Sequence, residues 1–194
     1  MWACRYASVV APALTSSALA EAEPERSLKL RGFCPLRSSN STASRPAGAD
    51  AAGVEARALE VAAKTRLYFL LDTLDNLVKG GRAGKAAGLA ASLLNIKPVL
   101  RVNDEGIIEP FKKVRGRQQA VAALAQHLAE DSAANGRMRV ALLHACCPEQ
   151  GQELEDAIIA AGADVEWESR GPIGAVIGVY TGPGAIGCAY YPVD

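Results

Sequence analysis

The chain has no excess of charge of either sign: 21 basic residues stand against 21 acidic ones. That balance removes the electrostatic reason to expect a nucleic acid or an anionic membrane surface as partner. Histidine is scarce, with only His127 and His144, and neither H-x-x-x-H nor H-E-x-x-H occurs, so no metal is expected. The five cysteines show no C-x-x-C spacing and include the adjacent pair Cys146-Cys147. An odd, unspaced set argues against a disulfide framework or a zinc site and fits a reducing, cytoplasmic setting. No apolar run approaches the length that spans a bilayer.

What is present suffices for one folded domain. Of the 194 residues 49% are hydrophobic and 22% charged, enough for a real core. The first fifty or so differ from the rest: they are rich in Ala, Ser, Pro and Arg, with no sustained periodicity, and a disordered leader is expected there. Within it, Arg5 to Ala20 faintly imitates a signal peptide that Pro12 interrupts, and an Arg- and Ser-rich transit peptide is weakened by Glu21, Glu23 and Glu25.

From Gly53 the pattern becomes regular. Helices are expected at Val54–Lys64, in TLDNLVKGG with a left-handed close at Gly80-Gly81, at Ala83–Asn95, in RGRQQAVAALAQHLAED and in EQGQELEDAIIAAG, with a short one around Ile173–Val179. Val121, Leu124, Ala125 and Leu128 form a core-facing stripe, and His127 falls off it, toward solvent. Strands are expected at Arg66–Asp72, in KPVLRVND and EGIIEPFKKV as a hairpin, in MRVALLHA, in DVEWE with Val165 and Trp167 inward, and at the C-terminus. The fold class that follows is α/β in the broad sense, an α+β sandwich with helices packed on a mixed sheet.

Three features invite a chemical reading. YTGPGAIG places Gly182, Gly184 and Gly187 in G-x-G-x-x-G spacing, the pattern that grips a pyrophosphate when a strand delivers it to a helix N-terminus. The context is wrong for that. Pro183 sits in the turn, and the seven residues after Gly187 are β-rich, with no room for a helix. His144 before Cys146-Cys147 can be drawn as a Cys/His nucleophile, against which stands the ordinary packing of small cysteines. The run Lys112-Lys113-Val114-Arg115-Gly116-Arg117 reads either as a solvated edge or as a contact for an anionic partner.

The segments GGRAGKAAGLAASLLNIKPVLRVNDEGIIEPFKKVRGRQQA, VALLHA and GPIGAVIGVYTGPGAIGCAYY, in this order, closely resemble the C-terminal domain of the DegV family of fatty-acid-binding proteins. The resemblance runs from about Glu55 to Val193. It implies two α/β domains clamping one long-chain fatty acid, its chain in an apolar tunnel and its carboxylate near the domain interface, presented to a separate fatty-acid kinase. The family loop reads His-Thr-Gly-Pro-Gly, and Tyr180 stands at the position of its carboxylate-binding histidine. A phenol donates one hydrogen bond but stays neutral, so it supplies no charge assistance. Carried over in this way, Tyr180, Thr181 and Gly182 are the expected ligand-binding residues, Arg115 the contact to a kinase partner, and Arg82 a structural arginine. Nothing before Gly53 resembles the family's N-terminal domain, beyond an echo in Ser41-Thr42-Ala43-Ser44. The expected organisation is a leader, 1–52, on a DegV-like lipid-binding domain, 53–194, the leader being unrelated or misassigned.

Function follows as non-enzymatic fatty-acid binding with no cofactor and no catalytic residue. The competing readings are a Cys/His hydrolase or acyltransferase using Cys146 or Cys147, and a truncated fragment that binds nothing.

Overall fold

The computed structural model describes residues 50–92 and 97–193. The leader's targeting-like segment and Ser41–Ser44 lie outside the described residues, as does the end of the helix expected at Ala83–Asn95. Two compact units divide the chain, residues 1–64 and 65–194. In the first, α1 spans Ala51–Lys64. Asp50 caps it by accepting from the Gly53 amide at 2.9 Å, and Glu60 pairs with Arg57 and Lys64, both at 2.7 Å, the three- and four-residue spacings that bring side chains together on a helix.

The second unit is built on a six-stranded mixed sheet in the order β3-β2-β1-β6-β4-β5. Its strands are β1 (Arg66–Leu70), β2 (Lys97–Val102), β3 (Ile108–Val114), β4 (Met138–His144), β5 (Val165–Pro172) and β6 (Ile186–Pro192). The helices of this unit are α2 (Asp75–Lys79), a 3-10 helix at Gly84–Ser92, α3 (Arg117–Asn135), α4 (Pro148–Ala160) and α5 (Ala175–Thr181).

β2 and β3 form the expected hairpin, turned by Asn103, whose side-chain oxygen accepts from the Glu105 and Ile107 amides at 3.0 and 2.9 Å. β4-α4-β5 is the one parallel crossover, and β6 runs antiparallel between β1 and β4. The C-terminal strand is therefore central, and its residues Ile186 to Tyr191 are all buried.

Alternation along the strands feeds two cores. Tyr68, Leu70, Val99, Val140, Leu142, Ile186 and Cys188 meet the buried stripe of α3, Val121, Leu124, Ala125 and Leu128, together with Leu154 and Ile158 of α4. Val165 and Trp167 point in against this cluster, as their alternation predicts. Phe69, Leu71 and Leu100 belong to a second cluster with Leu74, Leu77, Ala83, Ala86, Ala145 and Ala185.

Four expectations change. The stretch after Ala83 is a 3-10 helix rather than an α-helix, consistent with the weak helix propensity of Gly84 and Gly88; Gly84, at φ +52, packs against Ile107 and Ile108. Of Gly80-Gly81, only Gly81 is left-handed, at φ +67. The last short helix begins two residues later than expected and takes in Tyr180 and Thr181. His127 is partly buried rather than turned to solvent: its ring lies 4.7 Å from that of Tyr68 and 4.5 Å from that of Phe111, and its Nε2 is buried without a hydrogen-bond partner among the described residues. The helix turns it toward the aromatic edge of the sheet, where β1 and β3 supply rings that the helical stripe alone did not disclose.

Candidate functional site

The glycine loop lies between α5 and β6, so a helix leads into it and a strand leaves it. This is the reverse of a phosphate-gripping loop. Its amides are engaged within the protein: Gly182 N–H donates to the Gly178 carbonyl at 2.8 Å and Gly184 N–H to that of Ala145 at 2.9 Å. Ala145 N–H returns a bond to the Ala185 carbonyl at 2.8 Å, knitting the end of β4 to the loop.

Each glycine answers a separate demand. Gly182 and Gly184 have φ of +74° and +81°, and a Cβ there would run into the Asn76 amide and the Asp72 carboxylate respectively. Gly187 sits opposite Phe69 in the β1-β6 register, where a Cβ would stand 2.6 Å from the Phe69 Cβ. The three glycines therefore admit neighbouring parts of the same chain.

Arg117 holds this arrangement. From the first turn of α3, Nη1 donates to Asp72 Oδ1 at 2.6 Å, and Nη2 donates to the Gly184 carbonyl at 3.1 Å and to Gln150 of α4. Asp72 is tied in turn by its carbonyl, which accepts from Lys97 Nζ at 2.8 Å. Sequence reasoning passed over Arg117 in favour of its neighbour, although one signal was legible. A cation in the first turn of a helix opposes the helix dipole, so its presence there calls for a partner.

Of the residues expected to bind ligand, Tyr180 and Thr181 lie on the last turn of α5 and Gly182 follows as its C-cap. The Thr181 hydroxyl donates to the Ile177 carbonyl at 3.1 Å, leaving its oxygen only as an acceptor. The Tyr180 ring packs on Gly80, where a Cβ would collide with its edge, and lies 4.7 Å from the Arg82 guanidinium carbon. Arg82 is exposed, with its guanidinium stacked on the Tyr180 ring. Arg115 is exposed beyond the edge strand β3, with Lys112 and Lys113, and lies apart from the interactions Arg117 makes.

α5 carries an unusual surface. Its sequence AVIGVYT holds no charge and none of its side chains is fully buried; Val176 is 43% and Val179 72% exposed, and Val78 of α2 is 45% exposed. A small cleft of about 110 Å³, lined by Arg66, Tyr68, Arg101 and Asn103, lies elsewhere, at the opposite end of β1 from the glycine loop.

The cysteine pair lies in the loop after β4 rather than on the strand. Cys146 is exposed at φ +55; Cys147 is buried and its Sγ contacts the Ala185 carbonyl at 3.4 Å. Burial pushes the Cys147 thiol above its ordinary pKa and that of Cys188 up to about 12. Among the described residues no three His, Cys, Asp or Glu side chains are grouped to hold a metal ion. No helix among them is long and apolar enough to cross a membrane.

Residues 42–193, which hold the glycine loop, the GGR turn and the KVRGR junction, match the family described as uncharacterised protein, DegV family. The chain belongs to the DegV family. A DegV domain-containing protein of Streptococcus pneumoniae is 36% identical over 151 residues, covering 77% of this chain and 52% of the relative. A fatty-acid-binding DegV family protein from Thermus thermophilus superposes with a TM-score of 0.69 at 29% identity, over 76% of this chain and 52% of that one. A second, from Streptococcus agalactiae, gives 0.67 at 29% identity with the same coverage. The chain spans about half the length of the relatives it matches.

Proposed function

We propose that this chain binds a long-chain fatty acid and presents it to a partner of the fatty-acid-kinase type, without catalysing a reaction itself. The observation that carries the reading is the likeness, over 76% of the chain, to family members that bind fatty acids. The apolar α5, with Val176 and Val179 uncovered, fits it, because each methylene of an acyl chain laid against such a surface contributes about 0.8 kcal/mol. In this reading the binding domain includes the second compact unit, residues 65–194.

In this reading Tyr180 donates its phenolic hydrogen to the carboxylate. Thr181 joins by turning its hydroxyl away from the Ile177 carbonyl, and Gly182 lets the head group approach the backbone. Arg115, exposed and apart from the loop, faces the partner, so Arg115→Ala is expected to reduce kinase turnover of the bound acid while leaving its retention unchanged. The raised pKa and burial of Cys147 weigh against a thiolate nucleophile there, and free cysteines suit the reducing cytosol.

Native mass spectrometry of the full chain expressed in bacteria tests the reading. A co-purified mass of a long-chain fatty acid supports it; a chain that carries none, and takes up none when offered, is a non-binding fragment. A Tyr180→His exchange is expected to increase retention, since a protonated imidazole adds charge to the hydrogen bond.

A further inference from the structure

Away from the glycine loop, four polar side chains meet on one face of two neighbouring strands. In the antiparallel β1-β2 register Tyr68 stands opposite Arg101, and Leu67 opposite Val102. The period of two then sets Arg66 beside Tyr68 and Asn103 beside Arg101, on the face that packs against α3. These four line the cleft of about 110 Å³, which lies within the second unit. It is far below the roughly 300–1,000 Å³ of pockets that enclose a drug-sized ligand, so it suits a single small group rather than an acyl chain.

Glu109 of β3 accepts from Arg101 Nε at 2.8 Å and pairs with Nη2 at 2.6 Å, which fixes the guanidinium plane. Lys85 shares that carboxylate at 3.2 Å, and Asn103 Nδ2 donates to it at 3.3 Å. The Tyr68 ring is held edge-on by Phe111 and His127, at 4.9 and 4.7 Å between ring centres. Its hydroxyl contacts Arg101. A guanidinium only donates, so the phenol oxygen accepts there and its hydrogen is left to donate. Burial pushes that hydroxyl above its ordinary pKa and keeps it neutral.

Arg66 is the cation with donors to spare. Its side chain is 55% exposed, and its one ion pair among the described residues, to Asp131, is 3.8 Å long, beyond a hydrogen bond. Asp131 is meanwhile committed to the Tyr190 hydroxyl at 2.7 Å. Asp104, exposed, is the one carboxylate that lines the cleft, against two guanidinium groups.

We infer that this cleft is a second binding site, for a phosphate group, held between the guanidinium groups of Arg66 and Arg101 with the Tyr68 hydroxyl as a further donor. It lies at the opposite end of β1 from the glycine loop and does not depend on the fatty-acid reading. Donors that arrive from two strands suit a tetrahedral oxyanion, whose acceptors point several ways, better than a planar carboxylate. Two guanidinium groups also match its double charge.

Proton-nitrogen NMR of the full chain, titrated with inorganic phosphate, with glycerol 3-phosphate and with acetate at fixed ionic strength, tests the site. Amide shifts confined to residues 65–68 and 101–104 are expected to saturate with one or both phosphates, and the one that binds tighter tells a free anion from an esterified one. Arg66→Gln should weaken that binding about tenfold, and Tyr68→Phe, which keeps the ring in place, about threefold. Shifts that do not saturate with either phosphate, or that saturate as readily with acetate, overturn the inference. So does an Arg66→Gln chain that binds phosphate as tightly as wild type.

Discussion

Arg117 and Asp72, forty-five positions apart, meet at 2.6 Å between Nη1 and Oδ1, and the same guanidinium grips the Gly184 carbonyl. One side chain thus fixes the segment after β1, the first turn of α3 and the glycine loop relative to one another.

Removing it is expected to be felt in stability. Arg117→Ala should cost about 1–2 kcal/mol in urea unfolding, below the full range for charged hydrogen bonds because the Asp72 side chain is half exposed. Arg115→Ala, at an exposed position in the same basic run, should stay within about 0.5 kcal/mol of wild type. Equal costs at the two arginines would refute this division of roles.

The glycines of the loop separate in the same way. At Gly184, φ is +81 and a Cβ meets the Asp72 carboxylate, so Gly184→Ala should destabilise by about 2–3 kcal/mol. Gly174 precedes α5 at φ −63 with open space around it, and Gly174→Ala should be close to neutral in the same thermal or urea measurement.

Cys146 is the one non-glycine at positive φ among the described residues. Cys146→Gly relieves a left-handed side chain at some entropic cost to the unfolded state, and a net gain of up to about 1 kcal/mol is expected. With maleimide at neutral pH, labelling should be fast at Cys146 and slow at Cys147 and Cys188, which are buried with raised pKa values. Rapid modification of Cys147 in the folded chain would revive the nucleophile reading.

His127 predicts a pH dependence. Burial holds its pKa below the ordinary value, with Asp131 and Glu130 opposing the shift and Arg66 and Lys112 reinforcing it. The unfolded chain therefore takes up the proton first as pH falls. Stability should drop on acidification from about 6.5, the ordinary histidine value, toward the lower folded pKa, by at most about 1.4 kcal/mol per pH unit for one group. His127→Phe keeps a ring against Tyr68 and Phe111 and should flatten urea stability between pH 7.5 and 5.5 relative to wild type. An undiminished slope in the variant would assign the acid sensitivity to other groups.

Much of the fold was legible in the sequence because it depends on local periodicity. The stripe Val121, Leu124, Ala125, Leu128, the alternation at Val165 and Trp167, and the Asn103–Gly106 hairpin each state their own geometry, and the linked motifs from GGR to TGPGA state the family. Burial of His127 was not legible, since it depends on rings brought from β1 and β3 by sheet order.

By itself, the sequence determined most of the elements, the mixed α/β class and the DegV membership, all properties of short windows and their succession. Tertiary structure alone decided what the glycines of YTGPGAIG admit: the Asn76 amide, the Asp72 carboxylate and the Phe69 Cβ, which converge on the loop only once β6 is inserted between β1 and β4. It decided equally that Arg117 rather than Arg115 reaches the loop, because the chain turns at Gly116, φ +82, and directs the two arginines to different surroundings. Contacts between distant segments are set by packing, and the spacing of residues along the chain does not encode them.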